Sequence, residues 1–327
     1  MGRGILRFAI ATSGVLALLL TGTIMLGTLL PRGDQLVFIS QRDSHAEVYL
    51  LDVSRVLEAA LTRTPVWVQH FDPTWSPDGE QIAFRSNLNR DYLKPQLFIM
   101  DADGQNVRQV TDGSLEPLNP NWSPDGQRII FQAIPEDRWG LYLLDLNSED
   151  VRRVTPDTQS ARDPAWSPDG SQIALVSTAG EVNAIFVMES GCVGRAAGCE
   201  SGSMQQLTFP DGLNDPDNNH AYPSWSPDGR HILYSLWNQD RQHGEVMLMA
   251  GDGSDQQALI SRSGQNKQDV QAVMAPDGTR IAFVSNRDAL PRNENLEIYV
   301  MQLGTGEIRR LTFHPSADHT PSWRPQP

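Results

Sequence analysis

The sequence predicts an all-β fold, a β-propeller in which six four-stranded antiparallel blades form a closed ring. Three observations support this prediction. The pentapeptide Trp-Ser-Pro-Asp-Gly occurs four times, at Trp75, Trp122, Trp166 and Trp225. Short β-rich runs separated by turn residues follow each copy, and the two ends of the chain hold complementary halves of one further repeat. Repeats of about 40 to 50 residues with four short strands are typical of propeller blades.

The repeat extends beyond the four intact pentapeptides. A degraded copy begins at Met274, and a sixth copy, which begins at Trp323, is cut short by the end of the chain; the steps between first residues are 47, 44, 59, 49 and 49. Within the repeat that begins at Met274, the runs 280–285, 297–301 and 308–312 are rich in β-branched and aromatic residues. No helical pattern of about ten or more residues intervenes, so a parallel βαβ sheet is not expected.

The recurring residues of the pentapeptide have a structural explanation. Proline presets the first central position of a type I turn, aspartate suits the second, and glycine accepts the left-handed conformation that follows. We therefore expect the recurring aspartates to shape turns and not to act as catalysts. The tryptophans should pack between neighbouring blades, where each buries about 150–250 Å².

The chain ends predict how the ring closes. Residues 33–40 align with residues 79–86, so the first repeat starts at the glycine of its turn and lacks its tryptophan strand. Residues 321–325 supply a tryptophan strand with nothing after it. One blade is therefore expected to combine both termini, which leaves no open sheet edge at the seam.

The repeat resembles those of TolB-type propellers, which also occur in the propeller domains of prolyl-oligopeptidase-like proteases. The residues that carry the resemblance are the four pentapeptides, the Ile-Ala-Phe strands at 82–84 and 281–283, the segment 98–104, and the Leu-Thr pairs at 207–208 and 311–312. The resemblance covers about residues 33–325 and implies the fold, not the function. TolB proteins carry an α/β domain before the propeller and the proteases carry a hydrolase domain. Neither is expected here, and no Gly-x-Ser-x-Gly motif occurs.

The N-terminal segment predicts a membrane anchor. Residues 8–30 contain no charged residue, and as a helix they would span roughly 35 Å, enough to cross a bilayer core. Arg3 and Arg7 precede the segment, so residues 1–7 should stay in the cytoplasm and the propeller, residues 33–327, should lie on the extracytoplasmic side. A cleaved signal peptide is the alternative. Because the chain enters the first blade at a tight turn, the face that carries the tight turns should point toward the membrane.

Two cysteines, Cys192 and Cys199, lie in a glycine-rich insertion. A pair at this spacing in an exported chain predicts a local disulfide. A zinc site is a weaker interpretation, because two cysteines do not complete the usual four ligands.

Charge limits the classes of partner. The formal net charge of the chain is −14. Nucleic-acid binding is not expected, because phosphate contacts need an excess of positive charge. We expect no cofactor and a monomeric propeller.

Candidate partner-binding residues lie in the predicted loops that surround the channel mouth, on the face opposite the tight turns. Loops carry function when a rigid scaffold holds them. The candidates are His70, Asp72, Trp139, Asp163, His220, Trp237, Asp269, Asp318 and His319. A solvated polar rim is the alternative interpretation of these side chains.

One loop offers a weak metal candidate. Asp215, Asp217 and Asn219 have the alternating spacing of a calcium loop. His220 stands where such a loop needs glycine, and Ser226 stands where it needs glutamate, so an ordinary long loop is favoured.

The sequence therefore predicts a membrane-anchored, extracytoplasmic propeller that binds a protein or peptide without catalysis. The alternative is a sugar- or peptide-directed enzyme, or a small-ligand binder, with its site at the channel mouth. A structural role near an envelope complex is a third possibility.

Overall fold

Six four-stranded antiparallel sheets form the protein, as expected. The computed structural model describes residues 34–89, 94–135, 138–179, 182–193, 203–209, 218–238, 243–260, 268–289 and 295–326. Within them lie 24 strands and one short 3-10 helix at Ser190–Cys192.

Blades are numbered along the chain and strands from the N-terminus, and within each blade the strand that carries the repeat tryptophan, or Met274 in blade 6, is the first strand. Blade 1 contains β24 (Asp318–Trp323), β1 (Gln35–Ser40), β2 (Glu47–Asp52) and β3 (Leu57–Ala60). Blade 2 contains β4 (His70–Trp75), β5 (Gln81–Ser86), β6 (Gln96–Asp101) and β7 (Arg108–Gln109). Blade 3 contains β8 (Leu118–Trp122), β9 (Arg128–Ala133), β10 (Gly140–Asp145) and β11 (Val151–Arg153). Blade 4 contains β12 (Ala161–Trp166), β13 (Gln172–Ala179), β14 (Val182–Glu189) and β15 (Met204–Gln206). Blade 5 contains β16 (Asn218–Trp225), β17 (His231–Asn238), β18 (His243–Ala250) and β19 (Gln257–Ile260). Blade 6 contains β20 (Asp269–Met274), β21 (Arg280–Ser285), β22 (Glu297–Gln302) and β23 (Ile308–Arg310).

Ring closure by the two chain ends is confirmed. Blade 1 has the order β24-β1-β2-β3, with Leu36 opposite Trp323 across the seam. At this junction Arg324 donates to Gln35 Oε1 at 2.7 Å, and Arg280 of the neighbouring blade 6 donates to Asp34 Oδ1 at 2.7 Å. The seam therefore has its own polar contacts in addition to the strand ladder.

The pentapeptide forms the turn that its residues predict. Ser76 Oγ donates to Asp78 Oδ1 at 2.6 Å, and the backbone N–H of Glu80 donates to the same oxygen at 3.0 Å. Gly79 has φ of +69°, in the left-handed region that disfavours a side chain. The intact copies in blades 3, 4 and 5 repeat these contacts, so their aspartates serve as turn residues.

The tryptophans fill the spaces between blades. Trp75, Trp122, Trp166 and Trp323 are buried, with at most 7% of each side chain exposed, and Trp225 is half-buried. Met274 occupies the same place in blade 6 and packs against the cluster that includes Phe283 and Tyr299. The interpretation of these residues as core is confirmed.

A recurring threonine ties the outer strand of a blade to its neighbour. Thr62, Thr111, Thr155, Thr208 and Thr312 each accept a backbone N–H bond from the first half of the third strand, at 2.8 to 3.0 Å. These hydroxyls are buried, so each bond satisfies a strand donor that water cannot reach. Ile260 pairs with Val246 at the equivalent place in blade 5.

Two predictions fall on residues outside the described ranges. Residues 1–7 and the predicted anchor at 8–30 lie there, and among the described residues no helix is both long and apolar enough to cross a bilayer. Cys192 ends the 3-10 helix, whereas Cys199 lies outside the described ranges, so their disulfide stays a prediction.

Candidate functional site at the central channel

The innermost strands of the six blades surround a central channel. These strands are β4, β8, β12, β16, β20 and β24, and each neighbours the next around the ring. Each carries one residue in the left-handed region, three positions before the tryptophan or its replacement, with φ between +48° and +53°. We call these residues the channel ring: Asp72, Asn119, Asp163, Tyr222, Gln271 and Thr320.

A β-bulge explains why the ring residues adopt this conformation. The register of the innermost strand shifts at this point in every blade; in blade 2 the shift lies between Phe71 and Thr74. A proline follows the ring residue in five blades, and Ala272 takes its place in blade 6. Proline cannot donate to a ladder and is tolerated in strands at bulges. The bulge therefore carries the strand past the proline and turns the ring side chain toward the channel.

Hydrogen bonds across the blades alternate around the ring. The side chains of Asp72, Asp163 and Gln271 accept from the backbone N–H of Asn119, Tyr222 and Thr320, at 3.4, 3.5 and 3.2 Å. Asn119 Nδ2 also donates to Asp163 Oδ1 at 2.6 Å. These cross-blade bonds hold the ring side chains in fixed positions. A binding site requires such rigid positioning of its side chains.

The two ring carboxylates lie in an environment that disfavours their charge. Burial raises the pKa of Asp72, opposed by Arg85, the Asn119 N–H and His319. Burial also raises the pKa of Asp163, opposed mainly by Arg162 and Asn119. No ion pair within 4 Å is formed by either carboxylate among the described residues. A positive group placed in the channel would therefore find two carboxylates that form hydrogen bonds but no direct ion pair among the described residues.

The channel contains a cavity of about 360 Å³. It is lined by the ring residues, by the two residues that follow each of them, and by Trp166, Trp225 and Pro168. Pro168 belongs to a pentapeptide turn, so the cavity lies between the channel ring and the turns. Its volume falls in the range of small-ligand pockets, about 300–1,000 Å³.

Seven of the predicted candidates were expected in loops before the tryptophan strands, and this expectation was wrong about their position. His70, Asp72, Asp163, His220, Asp269, Asp318 and His319 all lie within the innermost strands. The bulge is the physical reason, because it lets each strand begin several residues before its proline. Whether these residues contact a partner stays a prediction.

Four of these candidates are buried inside blades. His70 is fully buried, with Nε2 at 3.3 Å from Glu47 and 3.2 Å from Thr64. His220 Nδ1 lies 2.6 Å from Thr208 Oγ1, and burial lowers the pKa of His220 to about 4. These histidines therefore support packing between strands and do not line the cavity.

The two buried aspartates, Asp269 and Asp318, pair with arginines that lie just after the neighbouring strand. Asp269 accepts from Arg287 at 2.9 Å, and Asp318 accepts from Arg42 at 3.2 Å. Both carboxylates are fully buried. Each pair has its arginine in the short connection that follows the second strand of its blade.

The remaining candidates have mixed positions. Asp72 and Asp163 line the cavity. His319, next to the ring, is half-buried, and burial lowers its pKa against the effect of Asp72. Trp139 lies half-buried in the connection before β10, whereas Trp237 lies within β17 beside Gly244.

The weak calcium candidate is only partly described. Asp215 and Asp217 lie outside the described ranges. Asn219 lies in β16, where its side-chain oxygen accepts from Asn183 at 2.6 Å. Within the described part of the chain, no group of three or more metal-binding side chains is found. The calcium interpretation stays a prediction.

Sequence reasoning missed four members of the channel ring: Asn119, Tyr222, Gln271 and Thr320. A signal for them was present, because each stands three positions before the repeat tryptophan or its replacement. In every repeat the ring residue stands immediately before the proline, or before Ala272 in blade 6. Their differing chemistry hides them from a search for recurring residue types.

Comparisons with known proteins agree with the architecture. The family model of the TolB beta propeller domain matches residues 88–197. The Tol-Pal system protein TolB of Anaeromyxobacter dehalogenans is 31% identical over 101 residues, which is 31% of this chain and 21% of that protein. The match therefore spans about a fifth of the relative's length.

Two solved structures share the fold. TolB from Acinetobacter baumannii has a TM-score of 0.69 at 19% identity, with 96% of this chain and 71% of that chain covered. Hydrazine synthase from Kuenenia stuttgartiensis has the same TM-score, 0.69, at 16% identity, with 92% and 48% covered. Identities this low show the fold alone, and one fold serves a Tol-Pal protein as well as an enzyme. The repeats and the six closed blades show a β-propeller, and residues 88–197 of this chain are similar to the TolB beta propeller domain.

Proposed function

We propose that this propeller binds a protein or peptide as a non-enzymatic scaffold, with residues 8–30 as its membrane anchor and the propeller on the extracytoplasmic side. One observation carries the binding function. Large apolar side chains stand exposed on the face formed by the loops after the second and fourth strands, which we call the loop face. They are Val66 at 65%, Trp67 at 51%, Phe209 at 70% and Phe313 at 67% exposed.

Trp67 is held out on a rigid loop. Asn87 Nδ2 donates to the carbonyl oxygen of Trp67 at 3.0 Å, and the N–H of Gln69 donates to Asn87 Oδ1 at 2.7 Å. Thr64 anchors the start of the same loop through its N–H, which donates to Glu47 Oε1 at 2.6 Å. An exposed tryptophan on a fixed backbone loses little conformational entropy on binding, and tryptophan is enriched at interface hot spots.

The relatives give the proposal its context. The curated relative with 31% identity is a protein of the Tol-Pal system. An acidic chain with exposed aromatic side chains suits a protein partner better than a nucleic acid. The anchor rests on the uncharged segment 8–30 and the preceding Arg3 and Arg7.

Site-specific crosslinking in membranes tests this function. The photo-crosslinking residue benzoylphenylalanine is placed at Trp67 in the full chain, and at Val107 as the control. Val107 is 43% exposed in the turn before β7, the outermost strand of blade 2, so it lies on the opposite face at the periphery and away from the channel. We expect a discrete adduct from Trp67 and none from Val107. Equal adducts from both positions, or no adduct from Trp67, would contradict the proposal.

The channel cavity favours a second candidate, a small-ligand binder or an enzyme directed at a sugar or peptide. Its 360 Å³ volume and its polar ring are compatible with a small ligand. Thermal unfolding with calcium, manganese, zinc and simple sugars tests this candidate. A large shift that disappears in Asp163→Asn would favour it, and turnover by the purified chain would replace the scaffold function.

A further inference from the structure

The two faces of the propeller differ in charge. We call the face formed by the turns after the first and third strands of each blade the turn face. Its described turns hold thirteen carboxylates: Asp34, Asp78, Glu80, Asp103, Asp125, Glu149, Asp150, Asp169, Asp228, Asp252, Asp255, Asp277 and Glu307. They hold three arginines, Arg55, Arg230 and the buried Arg324.

The strand ends next to these turns leave the excess of negative charge unchanged. They add five carboxylates and five arginines: Asp52, Glu58, Asp101, Asp145 and Glu189, with Arg108, Arg128, Arg152, Arg280 and Arg309. On the loop face, the described loops hold five carboxylates and five cationic side chains: Asp43, Asp112, Glu116, Asp157 and Asp288, with Arg42, Arg63, Lys94, Arg138 and Arg287. In the described part of the chain, the acidity is therefore concentrated on the turn face.

The aspartates of the turns keep their charge at neutral pH. Hydrogen bonds from Ser167 and Ser171 lower the pKa of Asp169, and bonds from Ser226 and the Arg230 N–H lower the pKa of Asp228. Their Oδ1 atoms are engaged within the turn. The charge therefore persists as a fixed, regularly spaced pattern around the channel.

The channel cavity continues this negative field inward. Asp72 and Asp163 are the only charged residues among those that line it, and it lies on the turn side of the channel ring. Arg85 and Arg162 act on these carboxylates from outside the cavity. Arg85 is engaged elsewhere, since it stacks on Phe71 at 4.3 Å and lies 4.0 Å from Glu116. His319 is kept largely neutral because burial lowers its pKa.

We propose that the turn face docks a basic, extended peptide segment of a partner protein, and that one lysine or arginine side chain of this segment enters the channel and pairs with Asp72 and Asp163. The proposal rests on the protein-binding function but names a second surface, opposite Trp67. An acidic rim attracts a cation from solution, and two carboxylates without a direct ion pair fix it in place. A long cationic side chain suits a cavity whose walls include five of the prolines that follow ring residues and two tryptophans, and whose far end holds the two carboxylates.

The same charge argues against two other occupants of this face. Anionic lipid headgroups and nucleic-acid phosphates would both be repelled within about a Debye length, 8 to 10 Å. If the anchor holds the turn face toward the membrane, a basic partner segment in the intervening space would relieve that repulsion. A peptide is therefore the occupant that the charge distribution favours.

Fluorescence anisotropy with two labelled ten-residue peptides tests the proposal on the full chain in detergent. One peptide alternates lysine with glycine and serine, and the other replaces lysine by glutamate. We expect saturable binding of the basic peptide alone at physiological ionic strength. The double variant Asp72→Asn/Asp163→Asn, which keeps the size of both side chains, should weaken binding by about thirtyfold or more.

Matched charge variants locate the surface. Asp125→Asn/Asp169→Asn/Asp228→Asn removes three charges from the turn face, and an asparagine oxygen can still accept the turn bonds. Asp112→Asn/Glu116→Gln/Asp157→Asn removes three charges from the loop face. We expect the first set to weaken binding by about tenfold and the second by less than twofold. Unchanged melting temperatures establish that each variant folds.

Three outcomes of the peptide experiments would overturn the proposal, and one metal outcome would do so as well. The three are absence of binding by the basic peptide, equal losses in both charge-matched sets, and binding that survives in the Asp72/Asp163 double variant. Calcium alone that stabilises the wild-type chain but not the double variant, without peptide binding, would also overturn it in favour of a metal site. In each case a crosslinked adduct at Trp67 would leave the scaffold function standing, so the two failures are distinguishable.

Discussion

The indole nitrogen of Trp122 donates to the carbonyl oxygen of Thr74 in the preceding blade, at 3.3 Å. Trp225 and Trp323 make the same bond to Ala165 and Val273, at 3.1 and 3.2 Å. The indole nitrogens of Trp75 and Trp166 are buried without a partner in the described structure, and blade 6 has Met274 in this place. The bond is therefore present in alternate blades, and methionine replaces tryptophan in a blade where the pattern calls for no donor.

This alternation predicts two classes of tryptophan. Trp122→Phe and Trp225→Phe each lose a buried hydrogen bond, whereas Trp75→Phe and Trp166→Phe lose only size and part of a cation–π contact. A hydrogen bond of this kind contributes about 1 kcal/mol. We expect the first pair to lower the free energy of unfolding by about 1 kcal/mol more than the second pair, measured by urea denaturation. Equal losses in all four variants would contradict the alternation.

The recurring threonine predicts a comparable effect within a single blade. Thr155 Oγ1 accepts from the N–H of Leu141 at 3.0 Å, and Thr155 is 4% exposed. Thr155→Val keeps the shape but leaves a strand donor unsatisfied, at a cost of about 1–3 kcal/mol. Thr155→Ser retains the hydroxyl and should recover most of the loss. Urea denaturation of both variants checks this. A valine variant as stable as wild type would show that the hydrogen bond does not stabilise the blade.

The repeat made the architecture predictable from the sequence. Turn residues and tryptophans recur at fixed positions because the same backbone geometry recurs, and that geometry was visible in Ser76, Asp78 and Gly79. The strand β21 was expected at 280–285 and lies at Arg280–Ser285. Closure through the seam followed from matching residues 33–40 to residues 79–86.

The channel ring was harder to predict because its physical basis is a backbone property. Asp72, Tyr222 and Gln271 share a left-handed φ and a bulge but no side-chain chemistry. The burial of His70 and Asp318 was also hidden, because their partners Glu47 and Arg42 are distant in sequence or lie across the seam. Sequence reasoning found the scaffold and two ring residues, but it could not show which polar side chains face the channel.

Two buried groups should give opposing pH effects on stability. Burial lowers the pKa of His220 to about 4, below its ordinary 6.5. The unfolded chain therefore binds this proton more readily, so stability is lost as the pH falls from 6.5 toward 4. Burial raises the pKa of Glu297 from 4.5 to about 7. The folded chain then holds the proton more tightly, so stability is lost as the pH rises from 4.5 toward 7.

Single substitutions should separate these two effects. Each shift corresponds to about 3 kcal/mol across its window. In His220→Gln, stability should no longer decrease through His220 protonation as the pH falls from 6.5 toward 4. The effect of Glu297 then acts alone, so the stability of this variant should fall more steeply than that of the wild type as the pH rises from 4.5 to 7. Glu297→Gln should show the opposite change in slope. Thermal unfolding between pH 4 and 7.5 checks both, and parallel profiles for the two variants would contradict the assignment.

The asparagine that holds the Trp67 loop links the fold to the proposed function. Asn87 bonds the loop at Trp67 and Gln69, and Asn286 makes the equivalent bond to the N–H of Gln268 in blade 6, at 3.0 Å. Asn87→Ala and Asn286→Ala should therefore cost similar stability, about 1–3 kcal/mol each. Only Asn87→Ala should reduce the crosslinked adduct at Trp67, because only that loop carries the exposed tryptophan. If both variants reduced the adduct equally, the loss would follow from global stability, and a fixed Trp67 would not be what the partner requires.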